Sequence, residues 1–110
     1  MQSPRTYSPA AVEAADLLGA RIRLARIERR WTLAELAERV GVSPVTMRKI
    51  ERGDVTAGIG LVFEAATLAG VPLFDADPEH RRLELRDTQA RLALIPSQVR
   101  RKRRDVDVDF

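Results

Sequence analysis

The chain contains no cysteine, which removes disulfides and thiolate metal sites and suits a reducing compartment. It has a single histidine, His80, and no Cys/His cluster, HExxH pair or glycine-rich phosphate loop. Aromatic residues are scarce, with one Trp, one Tyr and three Phe among 110 residues. That supply suits a Leu/Ala/Val helical core better than a β-sandwich. No apolar run nears the roughly 20 residues that cross a bilayer. The opening MQSPRTYSP lacks the apolar stretch of a secretory leader. These absences lead us to expect no metal and no cofactor. They also point to a cytoplasmic location with no membrane partner.

What is present is charge and helical periodicity. The net charge is only +3, but it is unevenly spread. Residues 21–54 hold nine Arg/Lys against five Asp/Glu, an excess of four, whereas 55–78 hold three acidic residues and no basic one. A positive half facing a neutral-to-acidic half gives direction to any encounter with phosphate.

The segment TLAELAERVGVSPVTMRKIERG, residues 32–53, carries the strongest local signals. Thr32 and Glu35 have the spacing of a capping box, flanked by Trp31 and Leu36 as a hydrophobic staple. Leu33, Leu36, Ala37 and Val40 form one apolar stripe. Gly41 can take the positive φ that ends a helix, and Ser43-Pro44 supplies a second cap with proline at the first helical position. Met47 and Ile50 then face inward, leaving Thr46, Arg48 and Lys49 outward. A short helix, a glycine turn and a second short helix form a DNA-reading layout.

Elsewhere, Ser8-Pro9 opens a long helix over 9–30, with Leu18, Ile22 and Ala25 inward and Gly19 as a weak point inside it. A loop over 54–60 leads to a helix over 61–69 with Leu61, Ala65 and Leu68 on one side, ended by Gly70 and Pro72. A last helix over 79–95 aligns Leu85, Leu92 and Ile95 and stops at Pro96. The expected fold is all-α. It divides into a flexible segment 1–8, a DNA-binding domain 9–74, a C-terminal helix 75–95 for dimer or partner contact, and a flexible tail 96–110.

LGARIRLARIERRWTLAELAERVGVSPVTMRKIERG, followed by LVFEAATLAGVPL, resembles the Cro/C1-type repressors, also called the XRE family, over about 18–74. The marks are Ile22-Arg23, Ala25-Arg26, Thr32 with Glu35-Leu36-Ala37, Gly41-Val42-Ser43, Ile50-Glu51-Arg52-Gly53 and Ala69-Gly70-Val71-Pro72. The resemblance implies a compact five-helix lambda-repressor-like domain with an extended first helix and an extra C-terminal helix. It also implies a sequence-specific repressor that acts as a homodimer on an inverted-repeat operator in double-stranded DNA.

Carried over position by position, Thr32, Leu33, Ser43, Pro44, Val45, Thr46, Arg48, Lys49 and Arg52 would face DNA. Lys49 suits guanine O6/N7, Val45 and Thr46 a thymine methyl, and Arg48 and Arg52 the phosphates. Arg26 and Glu51 match a structural ion pair of that family rather than DNA contacts. Leu33 and Pro44 stand where many members carry glutamines, so the usual glutamine contacts to phosphate and base do not carry over. Backbone amides at the start of the second helix remain able to meet a phosphate.

The tail IPSQVRRKRRDVDVDF changes character, from five basic residues at 100–104 to alternating Asp with Val106, Val108 and Phe110. Such a run is ordinarily a solvated tail. Its period-two ending also fits strand addition to a partner, with Val106, Val108 and Phe110 as contacts. The overall arrangement and this tail resemble HipB-like antitoxins, which implies a HipA-like Ser/Thr kinase toxin as partner and repression of a shared operon. The alternative is a stand-alone XRE regulator of a metabolic or stress operon. No residue set supports catalysis, and a non-enzyme is expected.

Overall fold

The computed structural model describes residues 5–96. Val106, Val108 and Phe110, expected as tail contacts, lie outside the described residues. The chain divides into two compact units, Met1–Leu73 and Phe74–Phe110. The first contains α1 (Pro9–Glu28), α2 (Leu33–Val40), α3 (Pro44–Glu51) and α4 (Ile59–Ala69), and the second contains α5 (Pro78–Ala93). The architecture is all-α, with α5 as the extra C-terminal helix.

Helix starts follow local chemistry closely. Ser8, Thr32, Ser43 and Asp77 each accept a hydrogen bond from a first-turn amide, and Pro9, Pro44 and Pro78 occupy the first helical position. Ends are less predictable. α1 stops at Glu28, not at 30, because Arg30 adopts φ 63° and reverses the chain. The Arg30 amide then donates to Ile27 O at 2.9 Å and the Trp31 amide to Arg26 O at 3.1 Å. This is the doubled closure that ends many helices, built here with arginine where glycine is usual.

The core of the first unit gathers Ile22, Leu36, Ala37, Met47, Ile50, Ala65, Ala66, Ala69 and Val71. Two sequence expectations are corrected there. Leu61 is 39% exposed, and α4 buries Ala65, Ala66 and Ala69 with Val62 and Leu68 partly covered. The helix begins at Ile59 rather than 61, and its alanine face lets α4 lie close against α1 and α2. Gly19 is not a weak point but a close-approach site. A Cβ there would stand 2.6 Å from Ile50 O and 2.7 Å from Glu51 O. Only glycine lets the end of α3 rest on α1.

Arg29 secures another joint, donating from Nε to Ala69 O at 2.9 Å at the end of α4. Its guanidinium carbon also lies 5.2 Å from the Trp31 ring centre, while that of Arg39 lies at 4.2 Å, both within cation–π range. In the second unit, α5 buries no side chain at all. No described helix is long and apolar enough to cross a membrane.

Candidate nucleic-acid interface

The interface is built around α2, the turn and α3. At the start of α2, Thr32 Oγ1 accepts from the Glu35 amide at 3.0 Å, and Glu35 Oε1 accepts from the Thr32 amide at 2.7 Å. The reciprocal pair fixes the direction in which α2 leaves the chain. Amides of Leu33 and Ala34 have no intrahelical acceptor, as in any first helical turn. Gly41, at φ 89°, closes α2, and its amide and that of Val42 both reach Ala37 O, at 2.8 and 2.9 Å.

Ser43 then starts α3. Its Oγ accepts from the Thr46 amide and donates to Thr46 Oγ1, each at 3.2 Å. The Ser43 and Thr46 hydroxyls therefore hold each other, and Thr46 is half-buried. Pro44 and Val45 are exposed, Val45 by 60%, so Val45 is not packed against α2. Met47 and Ile50 are buried, which turns Arg48 and Lys49 to solvent. One eight-residue helix thus has an anchored face and a presented face.

Glu51 is the buried charged residue of the core. Arg26 holds it with both arms, Nε to Oε2 at 2.7 Å and Nη2 to Oε1 at 3.1 Å. Arg26 Nη1 also donates to Trp31 O at 2.9 Å. This bidentate geometry ties α1 to α3 and uses both Glu51 oxygens. A cleft of about 270 Å³ lies alongside, lined by Arg23, Leu33, Arg48, Glu51 and Arg52. Because Glu51 is already engaged, the arginines of the rim set its charge. Among the described residues, Arg23, Arg48 and Arg52 have no carboxylate at ion-pair distance.

Arg23, a mark of the family resemblance, was not among the residues expected to face DNA. Its signal lay in its position three residues before Arg26, which carries one side of α1 toward α3. Thr32 and Ser43 are placed as caps, Leu33 lines the cleft, and Pro44, Val45, Arg48, Lys49 and Arg52 are exposed. Beyond α3, Asp54 Oδ1 accepts from the Thr56 amide at 2.8 Å and from its hydroxyl at 2.6 Å. The Thr56 hydroxyl, then its amide, lower the Asp54 pKa, with Lys49 and Arg52 adding attraction.

A family model described as a helix-turn-helix domain matches residues 17–83, more than half of the chain, and spans this whole arrangement. The chain belongs to the helix-turn-helix domain family. Neither a curated protein nor a solved structure matches it. Membership implies DNA binding, and helix-turn-helix domains are typically non-enzymatic. In a helix-turn-helix the second helix enters the major groove and the first crosses the backbone. Here the second helix is α3, whose presented face carries Val45, Arg48 and Lys49.

Proposed function

We propose that this helix-turn-helix protein is a sequence-specific transcriptional repressor that binds an inverted-repeat operator as a homodimer. The observation that carries the reading is the division of α3 into a buried Met47/Ile50 side and an exposed Val45/Arg48/Lys49 side, beside a cleft whose arginines have, among the described residues of the chain, no carboxylate at ion-pair distance. Lys49 donates to guanine, and Val45 meets a thymine methyl. Arg48 and Arg52 hold phosphates, which positions the helix without specifying sequence. The amides of Leu33 and Ala34 offer a further phosphate contact in place of a glutamine side chain. Thr32, Ser43 and Thr46 act chiefly by fixing the two helix starts. Residues 9–74 form the DNA-binding part and 75–95 an additional helix, in a protein of the cytoplasm and nucleoid. A single module of this kind buries only about 600–1,000 Å² on DNA, which favours two-fold dimers.

Fluorescence anisotropy on the DNA upstream of its own gene and on a scrambled duplex, at two salt concentrations, tests the reading. A preference of roughly a thousandfold with a steep salt slope is expected. Lys49→Ala should relax base preference, while Arg52→Ala should weaken all duplexes about equally. Binding that ignores sequence, or two mutants that bind as the parent does, would overturn it.

The second reading adds a kinase partner. The 20-residue α1 ahead of the helix-turn-helix, and the sequence resemblance to HipB-like antitoxins, support an antitoxin that binds a HipA-like Ser/Thr kinase and represses their shared operon. Removal of residues 96–110 should then weaken binding to a kinase encoded beside this gene. Unchanged affinity would leave the stand-alone regulator.

A further inference from the structure

α1 is apolar on two opposite sides. Its inner side carries Leu18, Gly19, Ile22 and Ala25, buried or half-buried against the core. Its outer side carries Leu17, Leu24 and Ile27, exposed by 50%, 57% and 50%, with exposed Ala20 between them. Positions 17, 20, 24 and 27 follow the alternating three- and four-residue step of a coiled-coil seam. A helix that is apolar all round is ordinarily covered all round. Here one side is covered by the core and the other is left half exposed.

The flanking charges choose the occupant and its direction. Asp16 and Arg23 immediately precede Leu17 and Leu24 on one flank of the seam. Arg21 and Glu28 lie four residues after the same leucines, on the other flank. In a parallel helix pair each first-flank residue meets the second-flank residue five positions further along the other helix. Asp16 then faces Arg21 of a second copy, and Arg23 faces Glu28 of that copy, each pairing occurring twice by symmetry. An antiparallel pair centred on the same seam sets Arg21 opposite Arg21 and Arg23 opposite Arg23. The pattern is complementary to itself in one direction only.

We propose that α1 is the homodimer interface, a parallel, in-register pairing with a second copy of this chain through Leu17, Ala20, Leu24 and Ile27. The proposal rests on the homodimer part of the reading above, and its readout is mass, measured without DNA. Such an interface is isologous, with the same patch used by both subunits. It is also short, so association with a Kd of about micromolar order is expected.

Sedimentation equilibrium of the full chain at about 100 µM, well above that Kd, reads the outcome. The parent should be a dimer. Leu24→Glu should be a monomer with unchanged far-UV circular dichroism, because Leu24 is an exposed side chain of a helix anchored on its other side. Arg23→Glu should weaken association tenfold or more, and Glu28→Arg added to it should restore association. Mass is the readout because Arg23 also lines the cleft, and Asp16 is left intact because it packs on Gly53. The absence of natural cysteine allows a direct test of direction. Leu17→Cys and Ile27→Cys, made separately, should each give a disulfide-linked dimer on oxidation. An antiparallel pair cannot bring both positions into self-contact.

A monomeric parent would overturn this proposal together with the homodimer reading. A parent dimer that survives Leu24→Glu, or that crosslinks at one cysteine position or neither, would overturn the α1 interface alone.

Discussion

α3 and α5 start in the same way and end up in opposite situations. Each opens with a capping residue followed by proline, Ser43-Pro44 in one and Asp77-Pro78 in the other. α3 has eight residues and buries Met47, Ile50 and Glu51, whereas α5 has sixteen and buries none. Caps and prolines decide where a helix begins, at about 1 kcal/mol each. Burial decides how firmly it is held and which side it shows. α3 can be as short as it is because α1, α2 and the Arg26–Glu51 pair hold it, while α5 relies on its own strong helix formers.

The largest test of this contrast removes the buried charge. Glu51→Ala leaves the largely covered Arg26 guanidinium without its carboxylate, keeping only Trp31 O, and should destabilise by up to about 3–5 kcal/mol. Urea unfolding checks this, and a loss below about 1 kcal/mol would mean that α3 is held by apolar packing alone. Next comes a matched pair of truncations. Met47→Ala, in a fully buried site, should cost about 2–5 kcal/mol, and Leu85→Ala, 56% exposed on α5, less than about 1 kcal/mol. Equal losses would show that α5 is as well packed as α3.

Smaller effects sharpen the comparison at the ends of elements. Arg30→Gly relieves a non-glycine residue at positive φ and should stabilise by about 1 kcal/mol, seen as a higher denaturant midpoint. The smallest effect concerns pH. Asp54 has a lowered pKa in the folded chain, so its contribution is present above the unfolded value, about 3.9, and is lost as pH falls through the folded value. Thr56→Val removes the largest cause of the shift and should raise the Asp54 pKa toward the ordinary value. Carbon-detected NMR titration of the carboxyl measures it, and an unmoved pKa would assign the shift to the remaining amide and to Lys49 and Arg52.

Much of the fold was legible because its signals are local. Thr32 with Glu35, Gly41, and Ser43 with Pro44 each act over three or four residues, and each holds the geometry its chemistry calls for. The inward turn of Met47 and Ile50 follows from helical period alone, and so does the outward turn of Arg48 and Lys49. The misread positions depend on neighbours distant in the chain. Gly19 looked like a flaw until the carbonyls of Ile50 and Glu51 came to rest on it. Leu61 looked like core because leucine usually is, but the alanines of α4 allow a closer approach on a rotated face. Arg23 joined the interface only when α1 brought it beside Arg48 and Arg52 at one cleft.

By itself the sequence determined the starts of α1, α2 and α3, the glycine turn, the positive stretch over 21–54 and the membership in a helix-turn-helix family. These depend on residue type and short spacing, which the chain carries wherever it goes. The Arg26–Glu51 pair was expected from the family resemblance, but only the tertiary structure decided that both Glu51 oxygens go to Arg26 and that, among the described residues of the chain, no carboxylate lies at ion-pair distance from Arg23, Arg48 or Arg52 at the neighbouring cleft. It alone decided that α1 keeps a second apolar side half exposed while the first is covered. Both outcomes depend on which faces meet across residues far apart in the chain, because charge compensation and burial are properties of contacts and not of residues.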